Sequence, residues 1–545
     1  MKKFRISLKH TAVVAACFAV SIMLFTGCNK DDDPKTGTGI AETEKLYVSS
    51  TANGEKVYTL KVTQSLTKST ATSGDTYVLL YVDNAGVVKT SAGAVTSSDE
   101  NTLVLAPASG AAFTVTVTKD GVTGISGNIT FTDNTTATGG TLTPMGTGGE
   151  IELPVGEIAE DRVLGVPGMA LNYVYNGDGL LTVKNSATLV ALPGTTIRFS
   201  KTGSGIEIRE NATVKMLGTD KLYALDAEGK LSSTPSASSG HITLKGGAAK
   251  GSWNGVYIKT KKENQLIYVD MLNGGSRTDD FNNAAVLNIE AAKAGISHCT
   301  VSGGKVYGIA MWDDFTLTAF DNNKVENCDA EPVWFRGQFS RIGKFDVTSD
   351  FTNNTKPYIH ISVPQDVTES ATLNETSVPY YFAEGGMDYL NADLTIGAGV
   401  TVYMGEATGF GTGQNRTGKL NMNGTAQKPV TFTRVPGTNY HWKAIHLAGS
   451  SHKIKNCILE YGGNSWNGWE DAGILNVAFE TSIEFENVTV RNSINYGIHI
   501  LHFDDCSYTG GNTVTFGAGA QANAGGNVRV WGNTCDTGCV FNALP

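Results

Sequence analysis

Trp466 and Trp469 stand three residues apart in the polar segment 462–471 (GGNSWNGWED), followed directly by Glu470 and Asp471. Indoles beside amides and carboxylates are what a sugar-stacking surface needs. The C–H face of a pyranose lies on the ring while the polar groups hold its hydroxyls. The alternative is that both indoles fold back as a lid over the end of a sheet, because large apolar rings are costly to leave in water. The segment 274–283 (GGSRTDDFNN) is its counterpart upstream and offers only Phe281 with Asp279 and Asp280, so it is expected to bind more weakly or not at all.

Two acidic pairs, Asp313-Asp314 and Asp504-Asp505, follow Tyr-Gly-Ile segments. Glycoside hydrolysis needs two carboxyl groups roughly 5 to 9.5 Å apart. Neighbours in a strand point to opposite faces, and Asp favours turns, so these pairs are weak catalytic candidates and turn residues first. His446, Asn476 and His499 would stack outward on successive strands as solvent-facing polar residues, with Tyr257, Asn288 and Ala310 in the equivalent upstream places. Histidines about two coils apart are too far from each other to share one metal at nitrogen distances near ~2.0 Å. No metal site and no cofactor is expected. Cys299, Cys328 and Cys457 have similar surroundings (SHCTV, ENCDA, KNCIL) and read as one recurring inward position taken by a small apolar residue. Cys535 and Cys539 lack the second ligand pair of a zinc site.

The N-terminus gives an address. Lys2, Lys3, Arg5 and Lys9 precede the apolar stretch 12–25, and Thr26 and Gly27 lead to Cys28. This is the pattern of a secretion signal. Gly27-Cys28 resembles a bacterial lipobox, with Phe25 where such boxes usually carry Leu, which implies lipidation of Cys28. The following Asn29-Lys30-Asp31-Asp32-Asp33 resembles the tag that sends lipoproteins of the Bacteroidetes kind to the outer face of the outer membrane. Removing the signal takes the net charge from −10 to −14. An acidic chain argues against nucleic acid as a partner, which requires a basic stripe.

The elements that would position these residues come from an internal duplication. Trp253 and Trp442 are 189 residues apart, and Tyr307-Gly308-Ile309 and Tyr496-Gly497-Ile498 share that offset. Residues 187–199 match 392–404 at an offset of 205, the difference being a Ser-rich insertion around residues 231–240. Inside each copy, short alternating segments recur every 20 to 30 residues and end in Gly, Asn or Asp, the mark of a β-solenoid. Trp253 and Trp442, repeated at one coil position, are expected to be structural.

The recurrent patterns x-L-T-I-x-x-G-x-x-I-x-F, W-x-G-I and x-N-x-x-I-x-x-G-G resemble the right-handed parallel β-helix repeats of bacterial surface lipoproteins. The expected fold is all-β: a two-copy right-handed parallel β-helix of about 12 to 15 coils, preceded by a small β-sandwich-like domain. The expected segments are a lipoprotein signal peptide at 1–27, a polar tether at 28–43, a spacer domain at 44–147, and β-helix copies at 148–355 and 356–545. The resemblance implies a lipid-anchored cell-surface protein of the outer membrane that binds glycan or a surface protein ligand in adhesion. A polysaccharide-degrading lyase or glycosidase on the same scaffold, and a purely structural stalk, are the alternatives. Among enzyme signatures of this fold, Gly-His-Gly and an Arg-x-x-Arg base arrangement are both missing from the sequence, so the fold permits an enzyme without motif support.

Overall fold

The computed structural model describes residues 42–530, except 52–56, 66–74, 83–87, 99–101, 119–120, 140–141, 145–149, 166–167, 169, 226–230, 278–283, 363–365, 384–386, 407, 413–416, 450, 465–472, 479, 502–506 and 511–512. Among these residues there is no α-helix, and the main body is a parallel β-solenoid of about 13 turns. The chain divides into two compact units, 1–276 and 277–545.

The first unit begins with an antiparallel meander from Glu42–Thr51 to Gly121–Ser126, and Leu142–Pro144 pairs on the outer side of the first strand. Its eight strands form one sheet, and Asn128–Thr130 pairs with Thr136–Thr138 in a separate two-stranded sheet whose Ile129 joins the same core. Period-2 alternation puts Leu60, Val62, Leu79, Leu105 and Val115 in a common core with Phe113 and Phe131.

Parallel coils follow in the same unit. Each has three strands, for example Leu180–Val183, Thr188–Ala191 and Thr195–Phe199, and each strand pairs in parallel with its equivalent one coil on. These three directions are called the first, second and third face below. In Thr195–Phe199 the burial alternates, with Ile197 and Phe199 inside. Each such inward aliphatic or aromatic side chain contributes about 1.5–3 kcal/mol relative to exposure. The Ser-rich insertion is a local hairpin, Leu222–Leu225 against Leu231–Ala237, which leaves the coil path unchanged.

Several corners between the second and third faces are made by a single residue of left-handed conformation. Tyr268, His298, Asn322, Asn456 and Asn487 all have φ between 48° and 58° around the coils. Asn and His tolerate this region better than most side chains. The residue after each turns inward: Val269, Cys299, Asn323, Cys457 and Val488 are all buried. The Asn side chains then bond along the axis. Cys299 N–H donates to Asn323 Oδ1 (3.0 Å), and Asn323 Nδ2 donates to the Ile296 carbonyl (3.0 Å).

Inside the second unit the sheets change partners. The first-face strands Ala285–Glu290, Tyr307–Trp312 and Val333–Arg336 continue into Ile359–Ser362. That strand pairs with Tyr380–Phe382, then Thr401–Met404, then Val430–Arg434. Thr401–Met404 is, by the sequence duplication, a third-face strand. The first face of the second copy starts separately at Asp366–Val367 and runs through Ile445–Ala448 and Gly473–Ala478. The duplicated coils are therefore turned by one face relative to each other.

Candidate functional site

This continuous sheet carries an outward row of rings. In Val333–Arg336, Val333 and Phe335 point inward and Trp334 outward. Ile359 and Ile361 leave His360 outside, Tyr380 and Phe382 leave Tyr381, and Val402 and Met404 leave Tyr403. The ladder register pairs Trp334 with His360, His360 with Tyr381, and Tyr381 with Tyr403. Four consecutive strands thus present four rings in one line.

Trp334 closes one end of the row, packed with Tyr307 (6.2 Å between ring centroids) and Trp312 (6.5 Å) and almost fully buried. His360, Tyr381 and Tyr403 are half-buried, as is Tyr358, whose ring lies 4.8 Å from Tyr381 and 6.3 Å from Tyr403. Tyr440 is held at the edge by its hydroxyl, which donates to the Met404 carbonyl (3.1 Å).

Glu331 lies beneath the row at 3% exposure, 3.3 Å from both Lys356 Nζ and His360 Nδ1. Burial alone would raise its pKa. The His360 hydrogen bond and the charges of His360 and Lys356 outweigh it, so the carboxyl sits below its ordinary value and stays ionised. An ionised carboxylate only accepts, so the His360 Nδ1 that faces it is the donor. Burial, with Glu331 next, pushes the Tyr307 and Tyr358 hydroxyls up. Burial does the same to Tyr403. These phenols are therefore neutral donors and acceptors among rings set at angles to one another, 51° between Tyr358 and Tyr381 and 79° between Tyr358 and Tyr403, a mixed surface suited to hydroxyl-rich ligands.

Past Tyr403 the line becomes polar. Thr433 Oγ1 donates to Glu460 (3.0 Å), whose other oxygen accepts from Arg491 Nε (2.7 Å).

Of the residues singled out in the sequence, Cys28, Trp466, Trp469, Glu470, Asp471, Asp504 and Asp505 lie outside the described residues. Asp313 and Asp314 are exposed at the end of Tyr307–Trp312. Asp313 has a φ of 60°, and Asp314 is 2.9 Å from Arg341, which also holds Glu369 at 2.8 Å. This is turn and surface ion-pair geometry. His446, Asn476 and His499 do share one ladder row, but Asn476 and His499 are buried rather than solvent-facing. The outward neighbours Ala448, Ala478 and Leu501 pack into an apolar cluster beside them, and Asn476 turns its Oδ1 back to the Gly473 N–H (2.8 Å). Tyr257, Asn288 and Ala310 are buried as well.

Trp253 and Trp442 are fully buried and equivalent, their indole N–H groups donating to Leu272 and Glu460 carbonyls (2.7 and 2.9 Å). Cys299, Cys328 and Cys457 are buried free thiols, each bonded to the carbonyl two residues earlier. They occupy two corners rather than one: Cys328 follows a third-face strand, Lys324–Glu326. What they share is a preceding left-handed residue, His298, Asn327 or Asn456.

Among the described residues no group of three or more His, Cys, Asp or Glu side chains is placed to hold a metal ion. Comparison with protein-family models, curated proteins and solved structures finds no match to this chain.

Proposed function

We propose that the chain is a lipid-anchored cell-surface protein of the outer membrane that binds glycan in adhesion, with the row His360, Tyr381 and Tyr403 and the adjoining Tyr358 as its contact surface. The observation that carries this reading is the register of half-exposed rings on consecutive coils, backed by neutral phenols and a buried ionised Glu331. Rings supply the stacking faces and hydroxyls supply the polar contacts that sugars require. The anchor rests on Gly27-Cys28 and the acidic stretch behind it. The segment holding Trp466, Trp469, Glu470 and Asp471 is retained as a second contact surface on the strength of its composition.

A glycan array probed with the mature chain tests the reading. Binding is expected, and Tyr381→Ala combined with Tyr403→Ala is expected to abolish it at unchanged melting temperature. Trp466→Ala with Trp469→Ala measures the loop's share. An array blank for the wild-type chain refutes the glycan reading. Cys28→Ser is expected to release the protein from the membrane fraction, and unchanged fractionation removes the anchor.

A further inference from the structure

The geometry points to a neutral, linear polysaccharide as the ligand of the aromatic row, lying along the coil axis with about one sugar ring per coil. This rests on the glycan reading and makes it more specific in two respects, length and charge.

Length follows from the ladder. Trp334, His360, Tyr381 and Tyr403 are directly paired neighbours in a parallel sheet, so their backbones step by one interstrand spacing, ~4.8 Å, and the ring centroids of Trp334 and His360 lie 6.4 Å apart and those of His360 and Tyr381 5.4 Å apart. An extended chain of pyranoses advances by one ring length per sugar, commensurate with the interstrand spacing. Each added sugar then meets another aromatic side chain, with the ring plane turned by 47° from Trp334 to His360 and by 83° from His360 to Tyr381. His360, Tyr381 and Tyr403 are accessible and Trp334 closes the line, so the gain from added sugars is expected to stop at about three rings, one for each accessible side chain. A site that captured only a chain end would instead gather its polar groups around one position. Here the groups are strung out along the sheet, from Glu331 under His360 to Glu460 beyond Thr433.

Charge follows from the partners of the cations near the row. Lys356 is paired with Glu331, Arg491 with Glu460, and Arg434 stacks 4.1 Å over the Tyr461 ring while donating to the Tyr440 carbonyl. Each of these three cations is already matched by a carboxylate or a ring on the protein, and Arg336, exposed on the strand of Trp334, stands at the closed end of the row. A uronate or sulfated chain would bring further negative charge to Glu331 and Glu460 on a protein whose net charge is already −10. A neutral chain meets no such opposition.

The test is titration calorimetry of the mature chain with two ladders of two to six sugars, cello-oligosaccharides as the neutral probe and oligogalacturonates as the acidic one. The expected result is affinity rising severalfold per sugar up to about three rings and level thereafter, with the acidic ladder at least tenfold weaker at equal length in low salt. Tyr381→Ala and Tyr403→Ala are expected each to flatten the length dependence, whereas Tyr381→Phe, which keeps the ring, retains it. Length-independent binding that still disappears in the double variant overturns the linear ligand and leaves the glycan reading standing. Tighter binding of the acidic ladder overturns neutrality. A protein that binds neither ladder overturns this inference, and one that also leaves the glycan array blank overturns both.

Discussion

His452 offers a sharp test of how the coil interior is built. It is 1% exposed, its Nδ1 accepts from the Leu420 N–H (3.1 Å), and its Nε2 donates to the Gly449 carbonyl (2.9 Å). One nitrogen must stay bare and the other must carry the proton. Burial pushes the pKa from 6.5 down to about 4. A second proton would set an N–H against the Leu420 N–H.

Between pH 6.5 and 4 the unfolded chain therefore binds a proton that the folded one refuses, so stability falls as the pH falls through this window. The contribution is fully present above pH 6.5 and gone below about 4. The difference corresponds to about 3 kcal/mol. Solenoids open locally, so the suitable assay is amide hydrogen exchange of peptides covering 420–423 and 451–460, corrected for intrinsic rates. Wild type is expected to lose about 3 kcal/mol more protection from pH 7 to pH 4 than His452→Asn, which keeps an acceptor near Nδ1 but cannot titrate. Parallel pH profiles for the two proteins would refute the reasoning, as would an imidazole titrating near 6.5 in the folded chain.

Two further outcomes follow from the core. Cys299, Cys328 and Cys457 are buried, and burial also pushes the Cys457 thiol up, so maleimide should leave all three unmodified in the native protein and label them after denaturation. Native labelling at any of them, read by peptide mass spectrometry, would contradict their placement. Trp442→Phe removes the bond to the Glu460 carbonyl and opens space beside Gly462. The expected cost is about 2–4 kcal/mol in a denaturation experiment, against which a change under about 0.5 kcal/mol would count decisively.

The solenoid was legible because its determinants are local and repeated. Inward aliphatic residues alternate along each strand, and the 189-residue offset returns them in the same order. The buried tryptophans were legible for the same reason. The left-handed corners were only partly so: Asn456-Cys457 and Asn327-Cys328 look alike in sequence yet stand at different corners, because a dipeptide encodes the turn and not its place in the coil.

The aromatic row was missed. Alternation identifies Tyr381 and Tyr403 as outward, but not which outward residues become neighbours. Trp334, His360, Tyr381 and Tyr403 are spaced 26, 21 and 22 residues apart, within the coil period, so a search for aromatics at that period across the junction of the copies would have found them. Aligning one copy on the other cannot. The counterpart of Tyr403 at the 205-residue offset is Arg198, which in the first unit forms an ion pair with Glu150.

The one-face turn between the copies has a consequence for how such a surface could arise. Trp334 comes from the first-face strands of the earlier copy and Tyr403 from a third-face strand of the later one, and they share a sheet only because the copies were joined out of phase. Neither copy alone supplies the line: Trp334 belongs to the earlier copy, and His360, Tyr381 and Tyr403 to the later one. The neighbourhood is therefore a property of the junction and not of the repeat. A chain cut between the copies would part Trp334 from His360, and in-phase joining would give these side chains other neighbours while leaving them on the outside of the coil.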